Sequence, residues 1–219
     1  DLTPIQRVTG QRMVESSQAA PHFTLSVNVD MTRALELREA LAETGERLTV
    51  TAILVKVVAT ALRRHPRVNA SFSEGRIWLH RRIDVGVAVA CEGGLLGPVI
   101  RDADAKGLTE IARELAGLQQ RAEEMRLTTA DLSDGTFTIS NLGMYGIERF
   151  TAIINPPESA ILAVGQIVRT PVGMPDDTVG LRPLMSLTLS VDHRSLDGLQ
   201  AAQFLTEVKA RLEQPYLLL

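Results

Sequence analysis

One segment near the carboxyl end of the chain combines residue types that proton transfer requires. An alternating run, residues 186–191, leads into Asp192–Gly198, which places a histidine four residues before an aspartate. Alternation predicts a strand, so we expect His193 at its end and Asp197 in the loop before a helix. Because histidine can act as base and acid near neutral pH, His193 is a candidate general base. The other histidines are interpreted as structural or exposed: His22, His65 and His80.

Apolar periodicity along the rest of the chain predicts the elements that position this segment. Helices are expected at 9–19, 31–43, 49–64, 111–125 and 198–213. Strands are expected at 22–30, 67–73, 76–79, 83–91, 95–100, 135–140, 159–168 and 184–191. Residues 49–64 also suit a strand, but their length and the following proline favour a buried helix. The order lacks regular strand and helix alternation, so the fold class is α/β of the α+β type, with helices on a mixed sheet.

The chain is expected to form one domain, residues 1–219, because periodic elements continue on both sides of the polar segment Thr170–Gly180. That segment is rich in proline, glycine and aspartate, which favour turns, and is interpreted as a surface connection between strands.

Composition excludes several classes of protein. The net charge of −3 and the pI near 5.9 give no basic field for nucleic acid or an anionic membrane. The longest apolar runs are too short to cross a bilayer. The single cysteine, Cys91, excludes an intramolecular disulfide and a metal cluster of several cysteines, and it favours a reducing compartment. The first residues show no charged and then apolar leader, and the expected compartment is the cytoplasm of a bacterium or the mitochondrial matrix of a eukaryote.

The motif Asp192–Gly198 resembles the D-H-R-x-x-D-G signature of the dihydrolipoyl acyltransferase core of 2-oxo acid dehydrogenase complexes. Other family-like segments follow the same order along nearly the whole chain, which makes chance agreement implausible. They are Arg12–Ser16, Pro21–Phe23, His65–Pro66, Val68–Ala70, Gly94–Leu96, Pro98–Ala103, Gly135–Gly143 and Ile153–Pro157.

The resemblance implies a fold like chloramphenicol acetyltransferase, a trimer, and a channel between subunits in which an acyl group passes between a dihydrolipoyl thiol and coenzyme A. It implies that His193 is the general base and that the Ser140 hydroxyl binds the oxyanion of the tetrahedral intermediate. Asp197 would hold the loop and the imidazole through a buried charge interaction, or would simply favour the start of the helix. Alternation places Thr136, Thr138 and Ser140 on one face of their strand.

Two further expectations come from the resemblance. The runs Ser140–Ile147 and Phe150–Pro157 are most similar to the pyruvate and acetoin branches, which favours acetyl as the acyl group. The family carries lipoyl and peripheral-subunit-binding domains that this chain lacks. The lipoyl group would therefore arrive on a separate domain, and the 2-oxo acid dehydrogenase and dihydrolipoyl dehydrogenase components would bind through the missing domains. The apolar end Pro215–Leu219 suggests docking on a neighbouring trimer in a larger cage, or packing on its own subunit.

Two alternative functions remain open. A stand-alone acetyltransferase of the chloramphenicol type shares the fold, but it usually has a second histidine where Asp192 stands and lacks Asn155–Pro157. A non-catalytic homologue would have lost the histidine, whereas His193, Asp197 and Ser140 are all present. Covalent catalysis by Cys91 is rejected, because no basic residue adjoins it in the sequence. Gly93–Pro98 lacks the lysine and hydroxyl of a phosphate loop and is interpreted as a turn.

Overall fold

The structure, a computed structural model, describes residues 1–43, 45, 47–91 and 94–218. The helices are α1 (Pro4–Ala19), α2 (Thr32–Glu43), α3 (Val50–Arg64), α4 (Leu108–Glu123), α5 (Thr129–Leu132) and α6 (Gly198–Glu213), with 3₁₀ turns at Gly143–Tyr145 and Pro215–Leu218. The strands are β1 (His22–Asp30), β2 (Ala70–Ser73), β3 (Arg76–Leu79), β4 (Val85–Val87), β5 (Val89–Cys91), β6 (Gly94–Leu96), β7 (Val99–Ile100), β8 (Phe137–Asn141), β9 (Ala160–Gly173) and β10 (Val179–Asp192). The expectations for Gly93 and Leu219 lie outside the described residues.

Six strands form a mixed sheet in the order β1-β10-β9-β8-β4-β7. Strands β9, β8 and β4 run parallel to one another, and the pairs β1–β10, β10–β9 and β4–β7 are antiparallel. Two small antiparallel sheets, β2–β3 and β5–β6, stand apart from it. The predicted mixed sheet is therefore confirmed.

One face of the sheet carries the hydrophobic core. Helices α2, α3, α4 and α6 pack there, and α3 buries most of its residues, as its apolar sequence requires. Phe137 and Ile139 of β8 enter this core, while Thr138, and Thr136 just before the strand, face the other way. The alternation predicted for this strand is confirmed.

The opposite face of the sheet is crossed by residues 142–157. The N–H of Gln166 donates to the carbonyl of Ile147 at 2.7 Å, and Arg149 donates to the Ser186 hydroxyl at 2.9 Å. A Cβ added to Gly165 would lie 1.9 Å from the Glu148 carbonyl oxygen, so this crossing needs glycine. This packing brings the segment that follows β8 back over the sheet.

The bounds predicted for two helices are wrong, and α4 also begins earlier than predicted, at Leu108. Helix α1 begins at Pro4 instead of residue 9, because Thr3 caps it by accepting a hydrogen bond from the N–H of Gln6. Helix α4 ends at Glu123, and Met125, with φ of +53°, lies beyond it and is half exposed. The apolar stripe predicted for this helix therefore does not reach Met125.

The segment Thr170–Gly180 is mostly strand and not the predicted surface connection. Strands β9 and β10 stay paired through it, with Thr170 opposite Arg182, and the turn covers only residues 174–178. The N–H of Met174 and the carbonyl of Thr178 close that turn at 2.8 Å. Proline and glycine are tolerated in this part of the hairpin because, among the described residues, each of its two strands pairs only with the other and leaves one edge unpaired.

Several short strands are also shorter than predicted. The strand expected at 67–73 begins at Ala70. Those expected at 83–91 and 95–100 each divide into two, because the chain leaves the main sheet after β4 to form the β5–β6 hairpin. Helix α5 was not predicted, although Thr128 and Asp131 form a capping box at its start. Within the described residues, no helix has the length and apolar character that crossing a membrane requires.

Candidate active site

His193 lies directly after β10, in the turn that leads to α6. Asp192 ends the strand opposite His22 of β1, and the His193 N–H donates to the carbonyl of Pro21 at 2.9 Å. The imidazole packs against the Phe23 ring with 5.2 Å between centroids, and the residue is exposed. The sheet therefore fixes the main chain of His193 and leaves its ring accessible.

An ion pair between a buried carboxylate and an exposed arginine stabilises this turn. The Asp192 carboxylate, 3% exposed as a residue, accepts hydrogen bonds from the Arg194 N–H at 3.0 Å and from its guanidinium at 2.7 to 3.1 Å. The guanidinium carbon lies 4.4 Å from the centroid of Phe72, and the Ser195 hydroxyl donates to the Asp192 carbonyl. We did not predict this pair from the sequence, although an aspartate two residues before an arginine was its visible signal.

Asp197 caps helix α6. Its carboxylate accepts a hydrogen bond from the Gln200 N–H at 2.8 Å, and the Gln200 side chain completes the capping box. The residue is exposed, so the buried charge interaction expected for Asp197 is absent from the described chain. The alternative role at the start of the helix is the one that the structure shows.

Ser140 faces a cavity of about 620 Å³ on the side of the sheet opposite the core. Helix α1, strand β6 and residues 150–155 supply mostly apolar walls. Five polar side chains line it: Thr9, Arg12, Thr138, Ser140 and Asn155. Such a cavity, apolar with a few convergent polar groups, is the usual form of a site for small substrates.

The structure does not bring Ser140 and His193 together within one chain. Ser140 pairs with Ala163 of β9, which pairs with Thr188 of β10, and His193 follows Thr188 by five residues. Strand geometry then separates the two Cα atoms by roughly 15–20 Å. His193 also does not line the Ser140 cavity. Within one chain, these two candidate residues therefore do not lie in a common cavity.

Glu158 forms a buried hydrogen-bonded group beside the cavity. Its Oε1 accepts hydrogen bonds from the Thr138 hydroxyl at 2.9 Å and from the Asn155 amide at 3.1 Å. Its Oε2 is buried without a hydrogen-bond partner among the described residues. The Arg12 guanidinium lies near enough to favour the charged carboxylate, and it also donates to the carbonyl of Pro156. We did not predict this group, although a carboxylate before an apolar strand was a visible signal.

Burial controls the charge of Glu158. Desolvation raises the pKa of its carboxyl from 4.5 to about 7, against the opposing effects of Thr138, Asn155 and Arg12. This carboxyl therefore changes its charge near neutral pH.

The other histidines and Cys91 have local partners. His22 and His65 hydrogen-bond to the Ala20 carbonyl and to Glu207, and His80 binds the Ser71 hydroxyl at 2.7 Å. Burial lowers the pKa of His80, and the charge of Asp84 opposes that effect. The Cys91 thiol is half-buried and donates to the Gly94 carbonyl at 3.4 Å. No group of three or more histidine, cysteine, aspartate or glutamate side chains in the described residues could hold a metal ion.

Comparison with solved structures first defines the class of fold. A chloramphenicol acetyltransferase superposes with a TM-score of 0.61 at 15% identity, covering 92% of this chain and 94% of that one. The fold class predicted from the sequence is therefore confirmed.

The family follows from the sequence. The model for the 2-oxoacid dehydrogenases acyltransferase (catalytic domain) matches residues 1–219, and the chain belongs to this family. A curated relative is the dihydrolipoyllysine-residue acetyltransferase component of the pyruvate dehydrogenase complex of Rickettsia felis, 39% identical over 220 residues. The match covers 98% of this chain and 53% of the relative, so the chain spans about half the length of the curated relatives it matches.

Two solved structures match over the whole chain. The dihydrolipoamide acetyltransferase of Azotobacter vinelandii, studied for the catalytic roles of a serine, a histidine and an asparagine, has a TM-score of 0.95 at 32% identity. The cubic core of a pyruvate dehydrogenase multienzyme complex has a TM-score of 0.95 at 31% identity. Each match covers 100% of this chain and 92% of the other.

The capping role of Asp197 predicts how two substitutions differ. Asp197→Asn keeps a side-chain acceptor for the Gln200 N–H and should leave the free energy of unfolding nearly unchanged. Asp197→Ala removes the acceptor and should lower it by about 1 kcal/mol. Urea unfolding followed by circular dichroism measures both. Equal losses in the two variants would show that the charge, and not the cap, stabilises the protein.

The raised pKa of Glu158 predicts a pH-dependent stability. The folded state holds the proton of the Glu158 carboxyl more tightly than the unfolded state does. The contribution of this proton to the free energy of unfolding is therefore full below pH 4.5 and is lost as the pH rises to about 7. The glutamine of Glu158→Gln cannot ionise. The free energy of unfolding of this variant should therefore rise by up to ~3 kcal/mol relative to that of the natural protein between pH 4.5 and 8.

Urea unfolding at pH 5 and pH 8 measures this difference. Glu148→Gln, which removes an exposed carboxylate from the segment that crosses the sheet, is the matched control. If Glu158→Gln and the control responded equally to pH, the buried carboxyl would not be the cause.

Proposed function

We propose that this chain transfers an acetyl group between a dihydrolipoyl thiol and coenzyme A. The observation that carries the proposal is the match over the whole chain with the Azotobacter dihydrolipoamide acetyltransferase. In that enzyme the studied histidine precedes the studied asparagine by four residues, which is the spacing of His193 and Asp197 here. At this spacing the chain has aspartate and that enzyme has asparagine, two residue types that are both favoured as helix N-caps.

The proposed chemistry uses two side chains. The His193 imidazole takes the proton from the attacking thiol, and the resulting thiolate adds to the thioester carbonyl. The Ser140 hydroxyl donates a hydrogen bond to the oxyanion of the tetrahedral intermediate. When the intermediate collapses, its bond to the original sulfur breaks and the imidazolium returns the proton to the leaving thiolate. No net proton is gained or lost.

We propose further that the site is completed between chains. The roughly 15–20 Å that strand geometry places between Ser140 and His193 is too long for both to act on one thioester within one chain. A homotrimer in which His193 of one chain faces Ser140 of the next would solve this. Because a cubic core matches over the whole chain, the trimers would assemble into a larger cage.

The remaining proposals concern partners. The acetyl group would arrive on a lipoyl group carried by a separate domain, and coenzyme A would be the second substrate. The 2-oxo acid dehydrogenase and dihydrolipoyl dehydrogenase components would act in the same complex, because the curated relative belongs to a pyruvate dehydrogenase complex. The compartment would be the bacterial cytoplasm, or the mitochondrial matrix in a eukaryote.

His193→Ala should reduce acetyl transfer by about 10²–10⁴-fold without dissociating the oligomer, because it removes only the general base. The assay offers acetyl-coenzyme A with free dihydrolipoamide, and size-exclusion chromatography with light scattering follows the assembly. His65→Gln, which alters a histidine bound to Glu207 outside the cavity, is the control. An active His193→Ala variant would exclude His193 as the base.

The same assay tests the choice of substrate. Succinyl-coenzyme A and a branched-chain acyl-coenzyme A are compared as donors, and chloramphenicol is compared as the acceptor. A preference for either donor would contradict acetyl. Turnover of chloramphenicol without turnover of dihydrolipoamide would favour the stand-alone acetyltransferase.

Ser140→Ala should lower kcat by ~10²–10³-fold with little change in KM, because the oxyanion exists only in the transition state and the intermediate. Ser26→Ala is a control, since that hydroxyl lies on β1 and bonds to Thr188 at 2.9 Å, outside the cavity. A rise in KM at unchanged kcat would contradict the oxyanion role.

A further inference from the structure

We infer that His22 is a positioning residue for the proposed acyl transfer, which holds one wall of the Ser140 cavity against the strand end that carries His193. The wall consists of residues 153–155 and is called the pocket wall below. Ile153 and Asn155 line the cavity, and Ile154 between them is 1% exposed. The inference rests on the proposed function for its activity measurement.

Both ring nitrogens of His22 are occupied by main-chain groups. Nδ1 lies 2.8 Å from the carbonyl oxygen of Ala20, and Nε2 lies 3.1 Å from the N–H of Ile154. A carbonyl only accepts and a peptide N–H only donates, so Nδ1 carries the proton and Nε2 offers its lone pair. The neutral ring in this one tautomer therefore joins residue 20 to the pocket wall.

The other side of the same peptide segment is held by helix α1. The Ser16 hydroxyl donates to the carbonyl of Ile154 at 2.6 Å, and Arg12 donates to the carbonyl of Pro156. Each polar main-chain group of Ile154 thus has a side-chain partner from residues 16–22. Because Ile154 is buried, losing either partner would leave a polar group without compensation.

His22 also adjoins the segment that carries His193. In the register of β1 and β10, His22 lies opposite Asp192, and its two sequence neighbours contact His193 directly. The Pro21 carbonyl accepts the His193 N–H at 2.9 Å, and the Phe23 ring packs on the imidazole. The segment Pro21–Phe23 therefore contacts both the pocket wall and His193.

The pocket wall continues into the polar groups beside Ser140. Asn155 donates to Glu158, which also accepts from Thr138, two residues before Ser140 on the same face of β8. A displacement of the wall would move Asn155 within the cavity. A displacement of a positioning group by about 1 Å can slow catalysis by about 10²-fold.

Two substitutions of His22 test the roles of its two ring nitrogens separately. Glutamine places an amide group near the position of Nε2 and can accept from Ile154, whereas asparagine reaches only the position of Nδ1. We expect His22→Asn to lower kcat for dihydrolipoamide by about 10-fold or more, with a smaller change in KM, and His22→Gln to stay within about 3-fold of the natural protein. His65→Gln serves again as the control for loss of a histidine.

Hydrogen–deuterium exchange over residues 150–157 gives a second readout that does not need turnover. Exchange of this peptide should accelerate in His22→Asn and not in His22→Gln. If the natural protein had no acetyl transfer, the proposed function would fail, while the exchange experiment would still decide whether His22 holds the wall. Equal kcat values and equal exchange in the two His22 variants would overturn the inference.

Ser16→Ala covers the case in which His22→Asn does not fold. It removes the donor to the Ile154 carbonyl and should also lower kcat and accelerate exchange of the pocket wall. Ser17→Ala is its matched control, because the Ser17 hydroxyl bonds only to Val14 of its own helix among the described contacts. If Ser16→Ala behaved like Ser17→Ala in both measurements, the wall would not need this support and the inference would be overturned.

Discussion

The cavity depends on one constraint of the sheet, the opposite direction of successive side chains along a strand. Strand β8 can bury Phe137 and Ile139 against the helices and still present Thr138 and Ser140 to the other face. A shift of one residue in register would place hydroxyl groups in the core and an aromatic ring in the cavity. The parallel pairing of β8 with both β4 and β9 opposes such a shift.

The polar face of the sheet contains groups that oppose folding. Glu158 is buried with one oxygen lacking a partner among the described residues, and its raised pKa records the cost of its charge. The core on the other face can offset that cost. The carboxylate in turn orients Thr138 and Asn155, which would otherwise rotate within the cavity. The buried carboxylate thus lowers the stability of the fold and at the same time fixes two polar side chains of the cavity. Such a local loss of stability is common at binding sites.

Much of the fold could be predicted because it follows from local periodicity. The α3 and α6 stripes, the β1 alternation and the two faces of β8 all depend on spacing along the chain. Errors arose where tertiary pairing overrides local preference, as in the ribbon through Thr170–Gly180, or where a cap sets a boundary, as at Thr3.

For the candidate site, too, features that depend on local sequence could be predicted, and contacts between distant segments could not. Its motif residues could be identified, and the cavity position of Ser140 agrees with the strand pattern. The contacts of Glu158 with Thr138 and of Ile154 with Ser16 and His22 join segments that are far apart in the sequence. Periodicity carries no information on such contacts. The capping of α6 by Asp197 was visible locally, but the resemblance favoured a buried charge.

The separation of His193 from Ser140 also bears on why the histidine is so exposed. A general base must lose some hydration to act on a thiol, yet His193 is exposed in the isolated chain, where its ring packs on Phe23. If another chain covers the ring, as proposed, the same contact would complete the constellation and exclude water. Activity would then depend on assembly, and the ion pair of Asp192 with Arg194 would hold the turn that carries His193 before any second chain binds.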